Sequence, residues 1–391
     1  MKFRKDFIIT PVLNDEISEK HANWLELLFD LIFVAAVSQV ALNLSEDYSL
    51  INFLTLIPLF FAIWWAWTGQ TYFLDRFGTD DILSRIIIMA QILIVAAMVL
   101  NVSHASTTTG IGFIISYVLL RLILVLEYRG VGRELPESKP ITDRYSIGFF
   151  IAACIWLFSI AVPYPYNFIV WIFALIADLL TPIAAGELHI KFPPHPAHLP
   201  ERFGLFIIIV IGEAIVSIVD TMAEMHLTLL TSCIGIIGLI LSFTLWWGYF
   251  EEANGAEKRV REKGKVIAKY QLWIYSHFPL MLGILGVAVG IKQIIHSPTA
   301  PINSWLLCIS LVVSLISLNL IFISSINWKN CIDRIILNYR TPHYFIIILV
   351  FLTGFLGFFI NSYIILFIIT LLSVINAIIS LREPPERICK L

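Results

Sequence analysis

Apolar stretches, each about as long as a membrane-crossing helix, follow one another along this chain with short polar breaks between them. About 20 apolar residues suffice to cross a hydrocarbon core. Runs of that kind lie near 24–44, 50–70, 83–103, 110–128, 146–163, 167–185, 203–222, 228–250, 267–292, 304–326, 343–360 and 362–381. They are continuous, whereas strands of a membrane barrel alternate in polarity over about ten residues, so the pattern predicts helices. The expectation is an all-α membrane protein of about 12 transmembrane helices.

Composition agrees with the pattern. Of 391 residues, 59% are hydrophobic and 14% charged, where soluble chains carry about 25% charged residues. Mean hydropathy is +0.86. No single soluble core of this length would hide so much apolar surface. Cys154, Cys233, Cys308, Cys331 and Cys389 form no CxxC pair and read as small apolar residues or isolated thiols. The first long run shows no small-residue cleavage pattern after it and is read as a retained span.

Placement of lysine and arginine sets the expected orientation. With the N-terminus inside, the inner loops hold Arg76, Arg129, Arg133, Lys139, Arg144, Lys191, Arg202, the cluster Lys258, Arg259, Arg261, Lys263 and Lys265, and Lys329, Arg334 and Arg340. The outer loops are nearly bare of positive charge, with Lys292 the exception. This asymmetry predicts an N-in/C-in protein of the plasma (inner) membrane. The basic cluster suits anionic lipid headgroups, so membrane lipids are expected partners and nucleic acid is not.

An internal repeat is also expected. Residues 23–44 and 55–77 compare with 201–217 and 242–253, at an offset of about 180 residues. Each second helix carries a Trp-Trp pair, Trp64-Trp65 and Trp246-Trp247. The expected organisation is a cytoplasmic N-terminal segment (1–22), a first six-helix repeat (23–186), a Pro/His-rich linker (187–202), a second six-helix repeat (203–382) and a tail (383–391). Six spans per repeat make the repeats parallel.

Ionisable residues inside spans are costly and call for an explanation, about 2.5–3.5 kcal/mol each on insertion scales. Six stand out: Glu26, Asp30, Arg121, Asp178, Glu213 and His277. Glu26 and Asp30 share one face of the first helix, continued by Val34 and Ser38. Glu213 falls near the midplane of the seventh span, beside Gly212, where close approach of a neighbouring helix is expected. His277 precedes Pro279, which predicts a kinked or broken helix. Arg121 has Asp30, Asp178 or Glu213 as possible partners, and Asp178, near a span end, is expected to be half solvated. His189, His195 and His198 lie in the linker and read as solvated loop histidines, with no cysteine or carboxylate set to complete a metal site. No phosphate-binding loop, zinc helix or nucleophile elbow is present, so no cofactor and no enzymatic activity is expected.

The segments 24–41 (WLELLFDLIFVAAVSQVA) and 201–217 (ERFGLFIIIVIGEAIVS) together closely resemble the low temperature requirement A (LtrA) family. Glu26, Phe29, Asp30, Phe33, Glu201, Arg202, Phe203, Gly212 and Glu213 carry the resemblance, and Leu28 stands where the family often has an aromatic. It implies a bacterial multi-pass membrane protein linked by family name to growth in the cold, with a poorly defined molecular activity. The leading expectation is a secondary transporter for a small polar or lipid-linked substrate, coupled to protons through Asp30 and Glu213. A cation or proton channel, an intramembrane lipid-acting factor and a structural scaffold stay open as alternatives, as does a homo-oligomer.

Overall fold

The computed structural model describes residues 22–47, 50–102, 110–195, 197–225, 228–253, 266–325 and 340–381. Among these the regular structure is helical throughout. The α-helices are α1 (Trp24–Glu46), α2 (Leu50–Phe77), α3 (Ile82–Val102), α4 (Ile111–Glu134), α5 (Lys139–Phe158), α6 (Asn167–Ala185), α7 (Leu188–Lys191), α8 (His198–Glu224), α9 (Leu229–Ala253), α10 (Val266–His296), α11 (Pro301–Ser325), α12 (Thr341–Leu356) and α13 (Ser362–Ser380). The basic cluster Lys258–Lys265, Lys329 and Arg334 lie outside the described residues.

Eleven of these helices are long and apolar enough to cross a membrane. The twelfth apolar helix, α12, has only 16 residues, or about 24 Å, against a hydrocarbon core of about 30 Å. It is shorter than the expected span 343–360 because the chain leaves the helix at Gly357 and turns through Phe358 and Phe359. Asn361 then caps α13, its side chain accepting the Tyr363 N–H at 2.9 Å. Other helices run past their apolar stretches. The second apolar run ends near residue 70, but α2 continues to Phe77; the seventh begins near residue 203, but α8 starts at His198. Hydropathy marks where a helix is apolar, and these ends are polar residues that find partners inside the protein.

Polarity is arranged inside out relative to a soluble protein. Asp30, Arg121, Asp178, His198, Arg202 and His277 are all buried, while Leu93, Leu100, Leu126 and Phe359 stand exposed. Such an apolar exterior over polar interior groups is the arrangement lipid selects. The chain is a membrane protein.

Two compact units divide the chain, Met1–Phe206 and Ile207–Leu391, with the boundary inside α8. In the first, α4 packs on α3 and α5, α5 on α6, and α1 on α2 and α3. The loop after α6 turns at Gly186, whose φ of 43° is costly for a residue with a Cβ; its N–H bonds the Ile183 carbonyl. In the second, the closest pairing is α10 on α11. A Cβ on Gly283, Gly286 or Gly290 would collide with Ser314, Ser310 or Leu307 of α11, so these glycines let two membrane helices approach along small residues. Helix α10 runs unbroken through Pro279, correcting the expectation of a helix broken there.

Candidate functional site

The densest buried polar network of the first unit begins at the start of α1. Asn23 precedes the helix, and its backbone N–H donates to Glu26 Oε2 at 3.1 Å, one half of a capping box. Glu26 and Asp30, four residues apart, then project from one face. Helix α8 opens similarly. His195 Nδ1 accepts the N–H groups of Ala197 (3.4 Å) and His198 (3.1 Å), covering donors that a helix start leaves unpaired. His198 and Arg202, also four apart, face the α1 pair.

The two pairs interlock. His198 Nε2 lies 3.0 Å from Glu26 Oε2, and its Nδ1 lies 2.9 Å from Asp75 Oδ1 on α2. Arg202 donates twice to Asp30, through Nε to Oδ2 at 3.0 Å and Nη2 to Oδ1 at 2.5 Å. Its Nη1 is 3.2 Å from Glu26 Oε2, an ion-pair contact whose angle is too poor for a hydrogen bond. Trp67 Nε1 donates to Asp30 Oδ1 at 2.6 Å, and its ring stacks on Phe206 with centroids 4.2 Å apart. The His195 backbone N–H donates to Asp75 Oδ2 at 2.7 Å. Because Glu26 meets His198 and Asp30 meets Arg202 in the same order, the first turns of α8 run parallel to α1.

The proton count on His198 matters chemically. Each ring nitrogen faces a carboxylate oxygen. Ionised carboxylates only accept hydrogen bonds, and neutral imidazole has one N–H. Satisfying both contacts therefore takes one proton more than a neutral imidazole between two carboxylates carries. Guanidinium, imidazole and carboxylates are thereby linked across three helices with a proton shared among them.

The remaining expected residues sit elsewhere. Arg121 pairs with Asp178, Nε to Oδ1 at 3.2 Å, and both are buried; Asp178 is thus not half solvated, because α4 and α5 cover it. Tyr117 binds them together, its hydroxyl donating to Asp178 Oδ2 at 2.6 Å and accepting from Arg121 Nε (3.0 Å) and Nη2 (2.7 Å). Glu213 and His277 belong to the second unit. Glu213 is half-buried, and a Cβ on the adjacent Gly212 meets no described atom within 4 Å, so the close helix approach expected there is absent. His277 Nδ1 lies 2.7 Å from the Trp273 carbonyl and its Nε2 3.0 Å from the Tyr249 hydroxyl.

Sequence reasoning missed Asp75, His198 and Arg202 as site residues. It assigned Arg202 to loop charge and His198 to solvated histidines, whereas both are fully buried. A signal existed: the acidic Glu26/Asp30 pair and the basic His198/Arg202 pair have the same four-residue spacing.

A model of the family described as "Bacterial low temperature requirement A protein (LtrA)" matches residues 21–379. The chain belongs to the LtrA family. That match spans nearly the whole sequence and includes both α1 and α8, the helices that supply most of the network. This LtrA protein is also similar to an uncharacterized protein of Rhizobium meliloti (strain 1021), 25% identical over 303 residues, covering 70% of this chain and 73% of that protein.

Outside the spans, His189 of the LtrA chain braces the loop after α6. Its Nε2–H donates to the Pro182 carbonyl at 2.9 Å, and its Nδ1 accepts from Arg76 Nη2 at 2.7 Å. Burial, reinforced by the Arg76 charge and only partly opposed by the Pro182 bond, lowers its pKa from 6.5 to about 4. The unfolded chain thus binds this proton more readily, so the contact's stabilisation is intact above pH 6.5 and is lost as pH falls through about 4. The expected result is that acid lowers the thermal unfolding midpoint less in His189→Gln than in the native protein. Equal acid sensitivity would refute this role for His189.

Proposed function

We propose that this LtrA-family protein is a proton-coupled secondary transporter for a small polar or lipid-linked substrate, with Glu26, Asp30, Asp75, His198 and Arg202 as its proton-handling site. The observation that carries this reading is His198 held between two carboxylates. A group that must hold an extra proton to satisfy its contacts changes its partners when that proton leaves. Here such a change is transmitted to α1, α2 and α8 at once. Ionisable groups in membrane spans serve as proton relays in pumps and transporters. Glu213 is kept as a second coupling carboxylate, on α8.

The same reading includes two parallel six-helix repeats, 23–186 and 203–382, with residues 187–202 between them. It places both chain ends in the cytoplasm and the protein in the plasma membrane, among lipids. The parallel run of α1 and the start of α8 supports it, since helices six spans apart point the same way in a parallel repeat.

The test is flux in proteoliposomes under an imposed pH gradient, with small polar solutes added in turn. The expected result is gradient dissipation that saturates with one solute and falls about a hundredfold in Asp30→Asn and His198→Gln, in the range that loss of a proton-transfer group brings. Both variants should still elute as folded protein. A folded native protein with pH-independent, non-saturating current would replace this reading with a channel.

A further inference from the structure

A second polar site lies in the first unit on different residues. Glu127 of α4 is about 10 Å from the helix end, well within the span. Its carboxylate faces two glutamines from two other helices. Gln70 Nε2 of α2 lies 3.2 Å from Glu127 Oε1, and Gln91 Nε2 of α3 lies 3.4 Å from Glu127 Oε2. All three side chains are more than nine-tenths buried. The network holds one acidic group and two neutral amides.

The amides are only half satisfied. Gln70 Oε1 and Gln91 Oε1 are both buried without a hydrogen-bond partner. Each orphan acceptor costs about 1–3 kcal/mol, and two of them flank one carboxylate. The terminal amide torsion is soft and roughly two-fold, so a half turn exchanges nitrogen for oxygen. Turning both amides would set their oxygens 3.2 and 3.4 Å from the two carboxylate oxygens. Oxygen ligands about 2.4 Å from a central cation and at right angles to one another are separated by about 3.4 Å. One negative charge and neutral oxygens match a single positive charge.

We propose that Glu127, Gln70 and Gln91 form a binding site for a monovalent alkali cation of sodium size. Hard oxygen ligands suit such an ion. The ion resolves all the unmet valences together, compensating the carboxylate and giving both amide oxygens a partner. A proton on Glu127 would serve only one of the amides. The three ligands come from α2, α3 and α4, so an occupied site ties these helices together. This site stands on its own residues and does not depend on the transport reading.

The experiment is equilibrium dialysis of the purified full-length protein against radioactive sodium, with choline chloride holding ionic strength constant. Saturable binding of about one ion per chain is expected. Glu127→Gln should weaken it about tenfold or more, because ligand charge count sets affinity at such sites. Gln91→Leu, which removes one amide oxygen and keeps Glu127, should weaken it several-fold. Elution as a monodisperse protein with native helicity checks each variant. No saturable binding by the native protein would overturn the proposal. So would undiminished binding in the folded Gln91→Leu and Glu127→Gln proteins.

Discussion

Replacing Arg202 by methionine is expected to destabilise the protein by about 3–5 kcal/mol, the range for removing one partner of a buried ion pair. Asp30 is fully buried and takes two hydrogen bonds from this guanidinium. Without them its charge is left with the Trp67 N–H in a site that water does not reach. A domain's whole stability is about 5–15 kcal/mol, so much of the protein would fail to fold. Asp30→Asn should cost less, because its Oδ1 still accepts from Trp67 and Arg202 still contacts Glu26. Lysine at 202 should fall between the two, since a point charge cannot reproduce the planar fork toward Asp30 and Glu26. Thermal unfolding midpoints of the three variants, measured in one detergent, check the order. An Arg202→Met protein within about 1 kcal/mol of native would show that the network carries little of the fold. The order also guides the flux experiment: Asp30→Asn perturbs the proton site while leaving a foldable protein.

Much of this architecture was legible in the sequence. The helices announce themselves because about 20 apolar residues in a row have few fates other than a span. Glu26, Asp30, Arg121 and Asp178 could be singled out because charges stand against that background. Their partners were harder to read. Asp75 and His198 lie where the apolar stretch has ended but the helix has not, and hydropathy alone places such residues in loops. Their burial depends on elements far apart in the chain meeting in space, 123 residues apart for Asp75 and His198 and 172 for Asp30 and Arg202. Glu127 was overlooked for a related reason. It sits two residues before Arg129, at what hydropathy reads as a span end, and only the packing of α2 and α3 shows that it faces two amides.

The Arg121 site should respond to mutation as a brace between helices, with Gly69 as its most revealing position. Arg121→Met is expected to cost about 3–5 kcal/mol, because Asp178 would keep the Tyr117 hydroxyl but lose its cation. Tyr117→Phe should cost less, about 1–3 kcal/mol. It removes the hydroxyl that accepts from Arg121 and donates to Asp178, but leaves the 3.2 Å ion pair and the guanidinium beside the ring, at 4.8 Å from its centroid. Gly69 of α2 leaves the space that Arg121 occupies: a Cβ there would lie 2.7 Å from Nη1 and 3.1 Å from Leu124 Cδ2. Arginine often evades such contact by swinging away, but here its fork is held by Asp178 and Tyr117. Gly69→Ala should therefore destabilise the native protein and be better tolerated once Arg121 is methionine, a coupling that a double-mutant cycle on unfolding midpoints measures. Additive effects would mean that the guanidinium is free to move. Flux should separate brace from transport site: folded Tyr117→Phe protein is expected to retain the native pH response that Asp30→Asn loses. Loss of that response in Tyr117→Phe at native stability would instead place Arg121 and Asp178 on the transport path.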